Sequence, residues 1–442
     1  MTRKFLTALL NLILRIFYHR IEVAGLERIP PDGPVIFVLN HPNGLIDPLF
    51  IVCLAPRPVS LLGKSTLFKM PVIGWLCRAL DTMPVYRQQD KGEDSKRNQE
   101  TFQKCRELLE RGGSLALFPE GVSHDEPSLR PLKTGAARIA LGAASAGMSQ
   151  PLQIVPAGLY YTAKATFRSA ALLYFGAPIT VDPVQLDAQY EPPREAARAL
   201  SDKLDAALRQ VTLNADQQQA LDTVARAEAI FNAGAKQEPS LAAELQLKQR
   251  FVEGYEFYRL HAPEKLAVID ARIRQYAEQL QLVGLEVEDL SAVTRATPGK
   301  ALLRVLAFLL ALPFALVSTI VHYPAYRLAG VLAKRFSPND DDVVSTIKVL
   351  AAVLLFPLTW AVCAGICAWK FGWFVALLTV LCLPLLGYVA MRFAEEFDRA
   401  SGAAKAMLFF VTRRYFAKRL LAERRAIRNE ILALNEGLVK TK

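Results

Sequence analysis

The 442-residue sequence has none of the short motifs that announce nucleotide or metal chemistry. It contains no phosphate-binding loop, no dinucleotide fingerprint, no zinc motif and no Gly-x-Ser-x-Gly nucleophile elbow. Its six cysteines, at 53, 77, 105, 363, 367 and 382, form neither a disulfide framework nor a paired Cys-x-x-Cys set. They read as packed free thiols of a reducing compartment. Residues 5–18 are not expected to be a secretory signal, because the apolar run is short, is interrupted by Arg15 and has no evident small-residue cleavage site. Charge is absent from two long stretches, 349–369 and 371–391, each of 21 residues and separated by Lys370. At about 1.5 Å per residue, each is long enough to cross ~30 Å of hydrocarbon as a helix.

The composition fits that reading, with 52 % apolar residues and a net charge of +11. Residues 392–442 hold 12 Lys/Arg against 6 Asp/Glu, so more than half of the basic excess follows the most apolar stretch. A basic segment beside membrane spans fits the cytosolic face of an anionic phospholipid membrane, and nucleic acid is not expected as a partner. A third apolar run, 305–321, has 17 residues and contains Pro313. The basic residues Arg327, Lys334, Arg335 and Lys348 place an expected loop 323–348 on the same side as the basic tail. Two crossings then suffice, and 305–321 is expected to be interfacial or re-entrant.

Five regions are expected: an amphipathic membrane-interface helix at 1–30, an α/β domain at 31–185, a helical insert or arm at 186–300, a membrane region at 301–392 and a basic cytosolic tail at 393–442. For the first, an ordinary docking helix is the alternative. Within the second, short β-rich runs at 35–39, 58–62, 83–86, 114–118, 152–159 and 171–175 alternate with helical patterns at 48–56, 96–111 and 134–147. The second helix should stop at Gly112-Gly113. Such alternation implies a sheet flanked by helices. The insert is rich in Ala, Leu, Gln and Glu, is broken near Gly234 and Pro239, and carries no chemical motif.

The chemistry gathers at strand ends. Val35–Leu39 runs into Asn40-His41-Pro42-Asn43-Gly44-Leu45-Ile46-Asp47. Imidazole exchanges protons near neutrality, so His41 suits deprotonating an alcohol, and a carboxylate on its other nitrogen would fix the tautomer. Asp47 is the candidate; it also precedes Pro48, as a helix N-cap would, and can serve either purpose or both. Further along stand Lys64-Ser65-Thr66-Leu67-Phe68-Lys69-Met70-Pro71, then Gly74, then Met83-Pro84-Val85-Tyr86-Arg87. Phe118-Pro119-Glu120-Gly121 and Val155-Pro156-Ala157-Gly158 complete the series.

Motif by motif, residues 30–180 resemble the phospholipid/glycerol acyltransferase superfamily. In that family the first block holds a general base and its carboxylate, usually four residues apart, whereas five separate His41 from Asp47 here. The resemblance makes Arg87 a phosphate ligand of the acceptor, for which a surface cation is the bland alternative. It gives Lys64 and Gly121 to the same substrate site, and Glu120 to glycerol hydroxyls or to orienting the cations. Val155–Gly158 would be a strand end shaping an acyl channel. The continuation Val122-Ser123-His124-Asp125, with Lys133 downstream, resembles the glycerol-3-phosphate/dihydroxyacetone-phosphate acyltransferases. Ser123 and Lys133 join the substrate-binding candidates, Lys133 being equally readable as a solvated lysine and His124 as a loop residue.

The family implies an acyltransferase-type α/β fold with a C-terminal transmembrane hairpin, in an inner or cytoplasmic membrane with the catalytic domain on the cytosolic side. The expected reaction moves a fatty acyl chain from acyl-CoA or acyl-carrier protein to glycerol-3-phosphate or dihydroxyacetone phosphate. It needs no cofactor beyond that co-substrate, and no acyl-enzyme. The alternatives are a lysophosphatidate acyltransferase and an inactive lipid-binding scaffold of the same fold.

Overall fold

A computed structural model describes residues 3–87, 97–233, 239–287, 289, 298–337 and 341–441. The chain divides into two compact units. The first comprises residues 1–214, 240–245 and 337–346, and the second comprises 215–239, 246–336 and 347–442.

The first unit is built on one mixed, mainly parallel sheet. Its elements are α1 (Arg3–Phe17), β1 (Arg20–Ala24), β2 (Val35–Leu39), α2 (Ile46–Leu54), β3 (Val59–Lys64), α3 (Pro71–Ala79), β4 (Met83–Val85), α4 (Asn98–Glu110), β5 (Ser114–Leu117), α5 (Gly135–Ala144), β6 (Gln153–Tyr161), β7 (Ala170–Phe175), β8 (Ile179–Thr180) and α6 (Arg194–Val211). The strand order is β1-β7-β6-β2-β5-β3-β4, with β8 also pairing β6. β2 runs parallel to both neighbours, with Val38 level with Leu117 of β5 and Leu39 level with Ala157 of β6. All five β2 side chains are buried, the unbroken apolar pattern of a strand covered on both faces.

The six expected strands and three expected helices all form, with ends shifted by up to three residues. α4 ends where expected: Gly112 adopts φ +73, and the amides of Gly112 and Gly113 close back onto Leu109 and Leu108. The first residue expected for α4, Lys96, lies outside the described residues, as does the break expected at Gly234. The unit is larger than the sequence implied. It takes in α1, β1 and α6, and the apolar face of α6 (Leu200, Leu204, Leu208) joins the core formed by Ile36, Leu115 and Ile154. Val155–Gly158 lies inside β6 rather than at a strand end, and a Cβ on Gly158 would stand 1.8 Å from the Val211 carbonyl oxygen. Glycine is there to admit the end of α6.

α1 is apolar on two sides. Leu6, Leu10, Leu14 and Phe17 are buried in the unit, whereas Phe5, Leu9, Leu12 and Ile16 are exposed.

The second unit is helical, as expected for 186–300 and the spans beyond. It contains α7 (Gln218–Asn232), most of α8 (Leu241–His261), α9 (Pro263–Leu282), α10 (Pro298–Phe336), most of α11 (Asp341–Phe371), α12 (Trp373–Thr412) and α13 (Arg414–Thr441). Three helical stretches, Leu306–Phe336, Val343–Phe371 and Trp373–Thr412, are long and apolar enough to cross a membrane. The hairpin expected at Lys370–Trp373 forms at Gly372, φ +87. The loop expected over 323–348 is instead mostly helix, because α10 runs on through Pro313 and Pro324 to Phe336. The basic tail is likewise a packed helix. Leu420 and Ile427 of α13 meet Ile230 of α7 and Ile273 of α9, while Arg272 binds Glu423 at 2.6 Å and Glu430 at 2.7 Å.

Candidate active site

Parallel strands bring their carboxyl ends to one edge, the usual place for chemistry in an open α/β sheet. His41 lies two residues past β2, Lys64 ends β3, Arg87 lies two residues past β4 and Glu120 three past β5. β5 is the next strand to β2, so His41 and Glu120 come together. β3 and β4 are two and three strands away, which is about 10 and 14 Å at the spacing of a sheet. Lys64 and Arg87 therefore stand on the same edge as His41 but apart from it.

The His41 Nδ1–H donates to Asp47 Oδ2 at 2.9 Å. That leaves Nε2 as the nitrogen able to take a proton. The ring is 17 % exposed and the Asp47 carboxylate fully enclosed. One imidazole face stacks on Phe118, with centroids 4.1 Å apart and planes 21° from parallel. Asp47 is not the N-cap of α2; Leu45 occupies that place. Asp47 sits inside the first turn, where the helix dipole favours its charge, and its Oδ2 accepts the Asn43 amide at 2.7 Å. The five intervening residues are absorbed by this fold-back, reinforced by the Ile46 and Asp47 amides bonding to the Asn43 carbonyl.

Residues that no motif flagged complete the carboxylate's surroundings. The Tyr161 hydroxyl donates to Asp47 Oδ1 at 2.6 Å. Tyr18, also buried, accepts from Asn43 Nδ2 at 3.1 Å. Burial, followed by the negative charge of Asp47, holds both phenols well above the usual tyrosine range. Asn40 is fastened to β6: its Nδ2 donates to the Leu159 carbonyl at 3.0 Å, and its Oδ1 accepts the Leu159 amide at 2.7 Å. The side chain thereby extends the β2–β6 ladder by one step, to the residue before His41.

Glu120 is enclosed as well. Its Oε1 accepts the His41 amide at 2.9 Å. Its Oε2 accepts the Arg130 amide at 3.0 Å and the Nε2–H of His124. The Glu126 amide reaches His124 Nδ1, which fixes that tautomer. Glu120 thus supports the backbone of the His41 turn, beside the role toward glycerol hydroxyls or the cations that the resemblance gives it. His124 is a loop residue, as expected, with a defined partner. Gly121 adopts φ +77, and a Cβ there would lie 2.6 Å from Lys133 Nζ, so these two candidates are brought side by side. Ser123 is half-buried in the same loop.

The chain resembles known proteins over most of its length. Residues 20–160 match the acyltransferase family, and residues 225–438 match the glycerol-3-phosphate acyltransferase 2 C-terminal domain. An uncharacterized acyltransferase of Schizosaccharomyces pombe is 24 % identical, over 88 % of this chain and 73 % of that protein. Glycerol-3-phosphate O-acyltransferases 2 and 1 of Saccharomyces cerevisiae are 28 % and 25 % identical, over 60 % and 80 % of this chain. Those alignments span 37 % and 59 % of the two yeast proteins. The crystal structure of the 1-acyl-sn-glycerophosphate acyltransferase of Thermotoga maritima aligns with a TM-score of 0.34 at 19 % identity, covering 47 % of this chain and 79 % of that one. The chain belongs to the phospholipid/glycerol acyltransferase superfamily, an α/β enzyme class. Within it, the C-terminal domain puts it near the glycerol-3-phosphate acyltransferase branch.

Proposed function

We propose that this protein transfers a fatty acyl chain from the thioester of acyl-CoA or acyl-carrier protein to a hydroxyl of glycerol-3-phosphate or dihydroxyacetone phosphate. The observation that carries the reading is the His41–Asp47 pair, a base with one nitrogen fixed by an enclosed carboxylate and the other left for substrate. His41 Nε2 takes the proton of the acceptor hydroxyl as its oxygen attacks the thioester carbonyl. Asp47 stabilises the imidazolium so formed. Collapse of the tetrahedral adduct expels the thiolate, which receives that proton. No acyl-enzyme is formed.

Arg87, Lys64 and Lys133 are the phosphate ligands in this reading, with Ser123 and Gly121 lining the same site. Their support is the shared strand-end edge and the juxtaposition of Lys133 with Gly121. A guanidinium fork suits a phosphate dianion, and Arg87 has no ion-pair partner among the described residues. The exposed row Phe5, Leu9, Leu12 and Ile16 lies in the headgroup layer of an anionic bilayer, while the opposite row docks α1 to its unit. The catalytic unit faces the cytosol of an inner or cytoplasmic membrane.

Purified protein assayed with labelled acyl donor and each acceptor tests this. Glycerol-3-phosphate or dihydroxyacetone phosphate should be acylated, and His41→Ala should lower kcat by about 10³-fold. Arg87→Ala should raise the acceptor KM and leave an acceptor without phosphate unaffected. Transfer only to lysophosphatidate would overturn the acceptor assignment. That second reading is favoured by the 29 % identity, over 28 % of this chain, to a 1-acyl-sn-glycerol-3-phosphate acyltransferase of Brassica napus. Transfer by neither route would leave an inactive lipid-binding scaffold.

A further inference from the structure

The first turns of α11, through Thr346, group with the catalytic unit rather than with the helical one. Two hydroxyl side chains in those turns are buried, Ser345 at 0 % and Thr346 at 6 % exposure. Both lie far outside residues 20–160, the span matched by the acyltransferase family.

Thr346 Oγ1 accepts the amide of Leu45 at 3.2 Å. Leu45 immediately precedes α2, and its amide has no acceptor within that helix. The next residue but one is Asp47. Ser345 Oγ donates to the Lys164 carbonyl at 2.6 Å. Lys164 Nζ donates to the Pro42 carbonyl at 3.0 Å, and Tyr18 separately receives Asn43 Nδ2–H at 3.1 Å. The catalytic turn is thereby tied at Pro42 to Lys164, whose carbonyl Ser345 holds, and at Leu45 to Thr346. Pro42, Asn43 and Leu45 all lie between His41 and Asp47.

We propose that Ser345 and Thr346 are positioning residues of the His41–Asp47 pair, supplied to the catalytic turn by the first turns of a membrane-length helix. The inference rests on the acyl-transfer reading for its consequence on rate. The turn has five residues to hold between base and carboxylate. Inside that turn, side chains and amides are fixed from outside by partners as much as 301 residues away. Without the two hydroxyls, a half-buried amide and a half-buried carbonyl lose their partners, and the turn relaxes toward geometries that lengthen the His41 Nδ1–Asp47 bond. The start of α11 therefore completes the active site.

The test uses the full-length protein in lipid or detergent, comparing Thr346→Val, Ser345→Ala and the double variant with the conservative Thr346→Ser. Thr346→Val and Ser345→Ala should each lower kcat about five- to tenfold, the ratio one such hydrogen bond is worth. The acceptor KM should stay within about twofold, and Thr346→Ser should keep most of the rate. Hydrogen exchange gives a readout independent of activity: uptake in a peptide covering 40–47 should rise in Thr346→Val while a peptide from 153–161 stays unchanged. An unchanged kcat in the double variant overturns the inference, as does Thr346→Ser falling as far as Thr346→Val. If the wild type transfers no acyl group, the functional reading has failed instead, and the exchange of 40–47 alone decides whether Thr346 holds the turn.

Discussion

Tyr161 donates its hydroxyl to Asp47 Oδ1 at 2.6 Å, and the same carboxylate's Oδ2 receives His41 Nδ1–H at 2.9 Å. The imidazole is therefore oriented by a carboxylate that is itself oriented. A hydrogen bond to a charged partner contributes about 1.5–3 kcal/mol, and part of that is felt only when His41 becomes cationic. Tyr161→Phe should lower kcat roughly tenfold with little change in either substrate's KM, read by steady-state kinetics. A raised acceptor KM at full kcat would instead place the hydroxyl on the substrate.

The same two phenols give the fold an alkaline limit. Tyr18 and Tyr161 have raised values in the folded state, burial first and Asp47 second. The unfolded chain releases those protons near pH 10, before the folded chain does. Stability from this source is fully present below about pH 10 and is lost as pH rises above it. Denaturant melts at pH 8 to 11 should show that fall, and Tyr161→Phe should flatten it.

Glu120 separates two roles that sequence leaves together. Its three protein donors occupy both oxygens, so Glu120→Gln must turn an NH₂ toward a donor whichever way the amide faces. One unmet pairing of a buried group costs about 1–3 kcal/mol. The expected result is a lower melting temperature and a kcat reduced tenfold or more, with the acceptor KM nearly constant. A large KM effect at unchanged kcat would mean that Glu120 reaches the acceptor after all.

Gly158→Ala probes packing alone. Its Cβ would meet the Val211 carbonyl at 1.8 Å, an overlap that only backbone movement relieves. Overpacking of this kind costs about 1–3 kcal/mol, so the melting midpoint should drop. Acyl-chain preference should not change, which product analysis by mass spectrometry would check.

Much of the catalytic unit was written locally. β2 and β5 are short apolar runs, and the Gly pair after α4 is a stop that needs no tertiary information. His41, Asp47 and Glu120 could be named because they stand in motifs at strand ends. β1 was not visible, since Arg-Ile-Glu-Val-Ala carries two charges, which bind one another along one face of the strand. Nor was Tyr161, whose partner is 114 residues away, because nothing in the neighbourhood of a tyrosine announces a distant carboxylate. The basic tail was read by its charge, which says nothing of packing. The apolar row Leu420, Ile427 and Ile431 on α13 was present in the sequence, but its partners on α7 and α9 become evident only in three dimensions.

β1 pairs with β7, and His19 bonds to Ser169, 150 residues along the chain. During synthesis, the first helix and strand therefore emerge long before the strand that receives them exists. Contacts this distant close slowly, and the apolar α1 must be sheltered while the intervening sheet is made. The order of assembly follows: β2 to β6 first, the chain's beginning last. A nascent chain halted before residue 170 would hold a nearly finished sheet and an unplaced N-terminus, with Tyr18 not yet beside the turn it supports.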